Sequence, residues 1–388
     1  MRGAGLDLVW AALPEARIVG GAVRDALLGR ESADIDMASP LPPGVVMARA
    51  GLAGLKAVPT GIAHGTVTVV AAGKGFEVTT LRRDVATDGR HAVVEFTDDW
   101  RADAARRDFT INAMSMDQEG RVFDYFGGRD DLAAGRVRFV GGAAARICED
   151  YLRVLRYFRF FARYGRGAPD PEALAAIGAN RAGVAGLSAE RVWHELKLIL
   201  QAPLPCAAVR LMAESGVLGL VWPEAVPARL EALARDNAPV APLLRVAALG
   251  VGDVGAFAAR LRLSGAEAAR LRAYVAPNGL APGDDDDTVR RALCDDPAEV
   301  LAARTWLAGG GGPAWDGLRA RLAALPRPVL PLQGRDLLAL GVRPGPELGR
   351  VLRGVEAWWR TGGCVAERAA CLDEARGLME RFQASPRE

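Results

Sequence analysis

The chain has 388 residues, 50% of them hydrophobic and 25% charged, with a net charge of +2. Such a chain is ordinary globular material with room for two or three separate cores, and no unbroken apolar run reaches the eighteen or so residues of a membrane span. Five scattered cysteines without a C-x-x-C pair exclude a disulfide framework and a zinc site, and the absence of an N-terminal basic segment followed by an apolar core argues against a secretion signal, so a soluble cytoplasmic protein is expected.

In chain order, a short strand is expected over Arg17 to Val19, then Gly20-Gly21, a helix from Ala22, and a strand around Asp34 to Ala38. Side chains alternate along a strand, so Asp34 and Asp36 share one face. Two neighbouring carboxylates repel, and one would hold a proton unless a divalent cation neutralises them; hard oxygen ligands suit Mg²⁺. Paired glycines between a strand and a helix let backbone N–H groups approach an anion. Arg24, one turn into the helix, reaches the same phosphates with its fork of donors. Phosphates on one side and carboxylates on the other form a layout for metal-assisted attack at phosphorus.

Pro42-Pro43 then opens another helix. "HGTVTVV" (His64 to Val70) alternates as a strand, "AAGKG" is a tight turn, and "FEVTTL" (Phe76 to Leu81) returns as its hairpin partner. This places Glu77 on a strand expected beside the Asp34 strand, as a candidate third carboxylate or simply the partner of an arginine. The segment Arg82 to Ala104 reads as a loop or a static surface hairpin. "ARRDFTINAMSMD" (Ala105 to Asp117) reads as a helix that opens with charge, with Asp108 bonding nearby backbone and Arg107 on the surface.

From Gly142 onward strand signals nearly vanish and apolar runs of period 3.6 dominate. In "EDYLRVLRYFRFFARYGR" (Glu149 to Arg166), Asp150, Arg153, Arg156 and Arg159 recur every third residue along one side of a helix, opposite Tyr151, Leu155, Phe158 and Phe161. Such a ladder is either a salt-bridged solvated face or a surface for bases and phosphates. Breaks between helical subdomains are expected at "APNGLAPGDDDD" (Ala276 to Asp287) and at Gly309 to Gly312. "GVGDVG" (Gly250 to Gly255) spells a dinucleotide fingerprint but follows a helical run with no acidic partner about twenty residues on, so it reads as a loop. His64, His91 and His194 form no metal-spaced pair, and Asp284 to Asp287 reads as a solvated acidic loop.

"GGAVRD…DID", "RRDFTINAM" and "EDYLRVLRYFRF", in this order, resemble the class II tRNA nucleotidyltransferase and bacterial poly(A) polymerase family, within the superfamily of DNA polymerase β. "LSAERVWHEL" and "PLQGRDLLALGVRPGPELGRVL" extend the likeness over most of the chain. The resemblance implies an α+β fold: a nucleotidyltransferase head over residues 1–140, a helical neck over 141–200 that reads the base, and a helical body and tail over 201–388 that hold tRNA. It further implies that Asp34 and Asp36 bind Mg²⁺, that Gly21, Arg24 and Arg107 contact the nucleotide, and that Asp150, Arg153, Arg156 and Arg159 bind CTP and ATP. Adenine and cytosine each show an amino donor beside an unprotonated ring nitrogen, so a carboxylate beside a guanidinium satisfies both and mismatches guanine and uracil; Asp150 and Arg153 are that pair. The Arg82 to Ala104 segment would help the switch from CTP to ATP. "GIAHGTVTV" (Gly61 to Val69) looks more like the CCA-adding subgroup than the poly(A) subgroup, the alternatives being poly(A) polymerase, a partial enzyme adding only CC or only A, and a catalytically silent RNA-binding module. No membrane and no protein partner is expected.

Overall fold

The computed structural model describes residues 3–32, 34–87 and 92–384, in two units, Met1–Ala225 and Val226–Glu388. In the first unit the strands are β1 (Arg17–Val19), β2 (Asp36–Ser39), β3 (Lys56–Gly61), β4 (Thr66–Ala71), β5 (Lys74–Thr80), β6 (Arg82–Thr87), β7 (Ala92–Phe96), β8 (Met114–Met116) and β9 (Val122–Asp124). Its helices are α1 (Ala4–Ala12), α2 (Gly21–Leu27), α3 (Pro43–Leu52), α4 (Trp100–Ala105), α5 (Gly128–Ala134), α6 (Ala143–Glu149), α7 (Leu152–Tyr164), α8 (Pro171–Asn180), α9 (Ala189–Gln201), α10 (Pro205–Glu214) and α11 (Val217–Val221).

Seven strands form one sheet in the order β3-β4-β5-β2-β1-β8-β9. Its ladders are antiparallel except β2 against β5, which run parallel with Asp36 opposite Glu77. The expected neighbourhood of Glu77 and the carboxylate strand is thus found. Alternation in β4 buries Val67, Val69 and Ala71, and α1 and α3 cover that face with Leu6, Val9, Trp10, Val46 and Ala50. Pro59 is tolerated in β3 because that strand lies at the sheet edge, where a missing N–H breaks no inner ladder.

Three local expectations are corrected. Asp34 lies ahead of β2 rather than on it, because the ladder with β5 begins at Asp36 and residues 34 and 35 have no partner strand. The helix expected in "ARRDFTINAMSMD" is a short 3₁₀ turn, Thr110–Asn112, followed by β8. Phe109, Ile111 and Met114 are all buried there, so the segment is enclosed on more than one side and carries no single apolar stripe. Asp150 precedes α7 in extended backbone and is not part of the helical ladder. The Arg82 to Ala104 segment contains a two-stranded hairpin, β6 with β7, followed by α4; its tip at residues 88–91, with His91, lies outside the described residues.

Helix α7 packs through aromatic rings. Phe109 meets Phe139 at 4.8 Å and Phe160 at 5.1 Å, and Tyr157 lies against Phe139 at 5.9 Å. Rings at these separations add to the burial of their own apolar area. This cluster fixes α7 against the "RRDF" segment.

The second unit is helical throughout its described residues: α12 (Pro227–Arg235), α13 (Pro242–Leu249), α14 (Val254–Leu261), α15 (Gly265–Val275), α16 (Asp286–Asp295), α17 (Ala298–Leu307), α18 (Pro313–Ala324), α19 (Gly334–Ala339), α20 (Pro346–Thr361) and α21 (Arg368–Ala384). The expected breaks fall between α15 and α16 and between α17 and α18. "GVGDVG" joins α13 to α14, and its Asp253 caps α14 by accepting from the Ala256 N–H at 2.6 Å. No helix among the described residues is long and apolar enough to cross a membrane.

Candidate active site

Gly20 ends β1 with φ of 68°, a left-handed value that favours glycine. A side chain there would also collide with Arg107, whose Nη1 lies 2.9 Å from where the Cβ would stand. The bare backbone therefore makes room for this guanidinium. Arg107 is anchored from behind by the buried Asp103, which accepts from its Nη2 at 3.3 Å and from Arg106 Nε at 3.0 Å. Arg24 lies on the other side of the glycines, 3.3 Å from where a Cβ on Gly21 would stand. It donates to Asn112 Oδ1 at 2.5 Å and to the Asp25 carboxylate at 3.1 Å, and it rests over the Tyr164 ring at 4.4 Å. Two arginines thus flank the Gly20-Gly21 backbone.

Asp34, Asp36 and Glu77 line one cleft of about 990 Å³, together with Lys74. Desolvation in the cleft raises the Asp36 pKa; Arg107 opposes the shift and Asp34 adds to it. A divalent cation would relieve this crowding, so the donor set suits one. Among the described residues, no three carboxylate, imidazole or thiol groups converge as a metal cluster, and Asp34 and Asp36 remain the candidate ligands. Glu77 shares their cleft and register.

Along α7 the three arginines of the expected ladder are present, and each is engaged with partners. Arg156 donates through Nε to the buried Asp108 at 2.7 Å and through Nη2 to the same oxygen. Arg159 pairs with the buried Glu195 at 3.1 Å and lies over the Phe160 ring at 4.7 Å. Arg153 donates to Glu149 and to Arg146 O at 2.8 Å. Asp150 accepts from the Leu152 N–H at 3.0 Å and from Arg191 at 2.7 Å. The Asp150 and Arg153 side chains are therefore held by different partners, and the two residues are joined only through the backbone, where the Arg153 N–H donates to Asp150 O at 3.0 Å; they do not project from one helix side by side as expected. Asp150 sits in the α6–α7 turn, where it meets α9 instead. Arg24, Arg159, Arg163, Phe160 and Tyr164 border a second cavity of about 280 Å³.

Sequence reasoning missed Asp103, Asn112, Glu149, Arg191 and Glu195. The spacing of Asp103 and Arg107, four residues apart, was a readable sign. Arg191 and Glu195 show the same spacing on α9, but which helix they face is not written in it.

Two family models match the chain: "Poly A polymerase head domain" over residues 16–138, and "Probable RNA and SrmB-binding site of polymerase A" over residues 168–228. The CCA tRNA nucleotidyltransferase 1, mitochondrial, of Danio rerio is 38% identical over 364 residues, covering 89% of this chain and 83% of the relative. The chain belongs to the tRNA nucleotidyltransferase and poly(A) polymerase family. The CCA-adding enzyme of Geobacillus stearothermophilus, another member, is 34% identical over 381 residues, covering 89% of this chain and 88% of the relative. The crystal structure of the Bacillus stearothermophilus CCA-adding enzyme in complex with CTP superposes with a TM-score of 0.76 at 30% identity, covering 98% of this chain and 100% of the other. Within the family's head segment lie Gly21, Arg24, Asp34, Asp36 and Arg107, whereas the α7 ladder falls between the two matched segments.

Proposed function

We propose that this chain adds CCA to the 3′ end of tRNA, taking CTP and ATP without a nucleic-acid template. The observation that carries the reading is the meeting, within one unit, of the carboxylate cleft, the Gly20–Arg107–Arg24 anion cradle and the α7 ladder. Asp34 and Asp36 would hold Mg²⁺, which when bound supplies charge stabilisation at phosphorus and acidifies the attacking 3′-hydroxyl. Arg24 and Arg107 hold the triphosphate from both sides of the glycine backbone, and Asp103 keeps Arg107 aimed there. Arg156 and Arg159 are held in place by Asp108 and Glu195 and present their guanidinium groups on the nucleotide side of α7. The deciding assay supplies CTP alone, ATP alone and both to the purified protein with a tRNA transcript lacking its CCA. CC addition with CTP and completion with ATP is expected. A poly(A) tail from ATP alone, a single-nucleotide product or no product would each displace the proposal. A cytoplasmic location is part of the same proposal and rests on the sequence alone.

Base choice is assigned to Asp150 and Arg153. An ionised carboxylate accepts about four hydrogen bonds, so Asp150 can receive an exocyclic amine while still held by Arg191. Arg153 keeps Nη2, which has only a 3.5 Å contact to Arg106 O, for the ring nitrogen. Asp150→Ala is expected to lower kcat/KM with CTP and ATP and to lose discrimination against UTP and GTP, at roughly 1 to 3 kcal/mol per unsatisfied group. Measuring kcat/KM for all four nucleotides checks it; full preference for CTP over UTP in the variant would move the selection elsewhere.

The body and tail are assigned to the tRNA backbone. Arg335, Arg343, Arg350 and Arg353, on α19, the following turn and α20, are exposed and form no salt bridge among the described residues. Phosphate contacts make affinity fall with salt, and each one lost should lower the slope by roughly one. Replacing all four with alanine is expected to flatten the dependence of tRNA affinity on NaCl and to leave the KM for CTP unchanged. An unaltered slope would remove this face from the interface.

A further inference from the structure

Cysteines that look incidental in the sequence meet in the second unit. Cys294 lies on the last turn of α16, and Cys364 follows Gly362-Gly363 at the end of α20; their Sγ atoms are 3.5 Å apart. The positions flanking each thiol are already fastened. Arg290 Nε on α16 donates to Gly363 O at 2.8 Å, and Arg360 on α20 pairs with Asp295 at 2.8 Å. The Asp287 carboxylate stands only 2.4 Å from where a Cβ on Gly363 would be, and Gly363 has φ of 78°, so the turn can press against α16 only with glycine at this position. The Cys364 N–H donates to Trp359 O at 3.0 Å, which holds the turn onto its own helix. A disulfide has sulfurs about 2.05 Å apart, so closure needs a shift of about 1.5 Å at a site held in register on both sides.

We propose that Cys294 and Cys364 are a dithiol site that a low-molecular-weight disulfide converts to an intramolecular disulfide, tying α16 to the turn between α20 and α21. Cys294, partly exposed, is the attacking thiol. Its thiolate displaces one sulfur of the reagent, giving a mixed disulfide and one free thiol that takes up the proton Cys294 lost. Cys364 then attacks Cys294 Sγ, breaking the mixed disulfide and releasing the second reagent thiol with the proton from Cys364. The pair is oxidised by two electrons and the reagent is reduced to two thiols. Burial and the neighbouring thiol push the Cys364 thiol up to about 11, against the pull of Arg360 and Arg291, which suits Cys294 to the first attack and leaves Cys364 to close the bond at short range.

The bond would form at the margin of the terminal core: Cys294 already packs against the cluster that holds Cys364, Val351, Val355 and Trp359, while Val289 and Leu293 of the same helix belong to a cluster with Leu301, Leu318 and Leu322. A cross-link over a sequence separation of 70 residues restricts the unfolded chain strongly, so oxidation should raise the unfolding temperature of this unit.

The test uses the full-length protein treated with oxidised glutathione and digested without reduction, with the exposed Cys148 as an internal marker of reagent access. The expected result is one linked peptide pair containing Cys294 and Cys364, a higher unfolding midpoint, and reversal of both by a dithiol reductant. Cys364→Ser should stop at the glutathione adduct on Cys294, and Cys294→Ser should leave Cys364 unmodified. A stable glutathione adduct on Cys294 in the unaltered protein would overturn the proposal. So would modification confined to Cys148, or a link from either cysteine to any other thiol.

Discussion

Alanine at Asp34 or at Asp36 is expected to abolish nucleotide addition while the protein stays folded. Both carboxylates face the cleft and are exposed, and neither forms a salt bridge among the described residues, so their removal leaves no buried partner and little packing is lost. Surface changes of this kind usually shift stability by less than about 0.5 kcal/mol. The Asp34 change should also lower the Asp36 pKa, because the repulsion between them is one cause of its rise. What is lost is the site for the cation, and with it several orders of magnitude in rate. Single-turnover CMP incorporation with Mg²⁺, alongside a thermal melt, checks both halves. Retention of more than about a tenth of the rate, a barrier change under ~1.4 kcal/mol, would refute the metal assignment.

The second large effect is expected at Asp108, which connects the two parts of the site. Its carboxylate accepts from the Phe109 N–H at 2.8 Å, from Asn112 Nδ2 at 3.0 Å and from Arg156. Asn112 in turn accepts from Arg24. One continuous chain therefore runs from the α7 ladder to Arg24. Burial pushes the Asp108 carboxyl up, but Arg156, Asn112 and the Phe109 N–H outweigh it and hold it below the usual carboxylate range. Asp108→Ala strands Arg156 and should cost about 3 kcal/mol, the low end for a broken buried pair, because the Arg156 side chain keeps 31% exposure and can recover some hydration. In a unit of this size that is a fall of about 6 to 12 °C in Tm. The KM for CTP and for ATP should rise together, since Arg24 loses its support whichever base is bound. A depressed carboxylate contributes stability above its unfolded pKa and loses it as pH falls through the folded one, so Asp108→Asn should flatten the acid limb of the stability curve. Unchanged KM values together with a lowered Tm would reduce Asp108 to a purely structural role.

What could be read from the residues alone was whatever depends on near neighbours in the chain. The Gly-Gly pair before α2, the Asp-x-Asp spacing, the β4–β5 hairpin and the change to helix after Gly142 all follow from local conformational preference and from the alternation of apolar positions. So did the placement of Glu77, because a strand returning from a tight turn had one free neighbour to join. Local pattern failed in enclosed segments: "RRDFTINAM" is buried on more than one side, so its apolar residues trace no helical stripe, and β8 was missed.

Partner choice was decided by the tertiary structure, since it depends on which surfaces are brought together across long separations. Asp150 and Arg153 look like a pair at helical spacing, yet Asp150 sits in a turn and is held by Arg191, 41 residues away. Arg156 looks solvated, yet it closes on Asp108, 48 residues away. Cys294 and Cys364 look unrelated and are in contact. The chemistry of each side chain is set by its covalent structure and was legible in advance; whether a charge or a thiol meets water, a partner or a substrate is set by packing, and only the folded chain determines it.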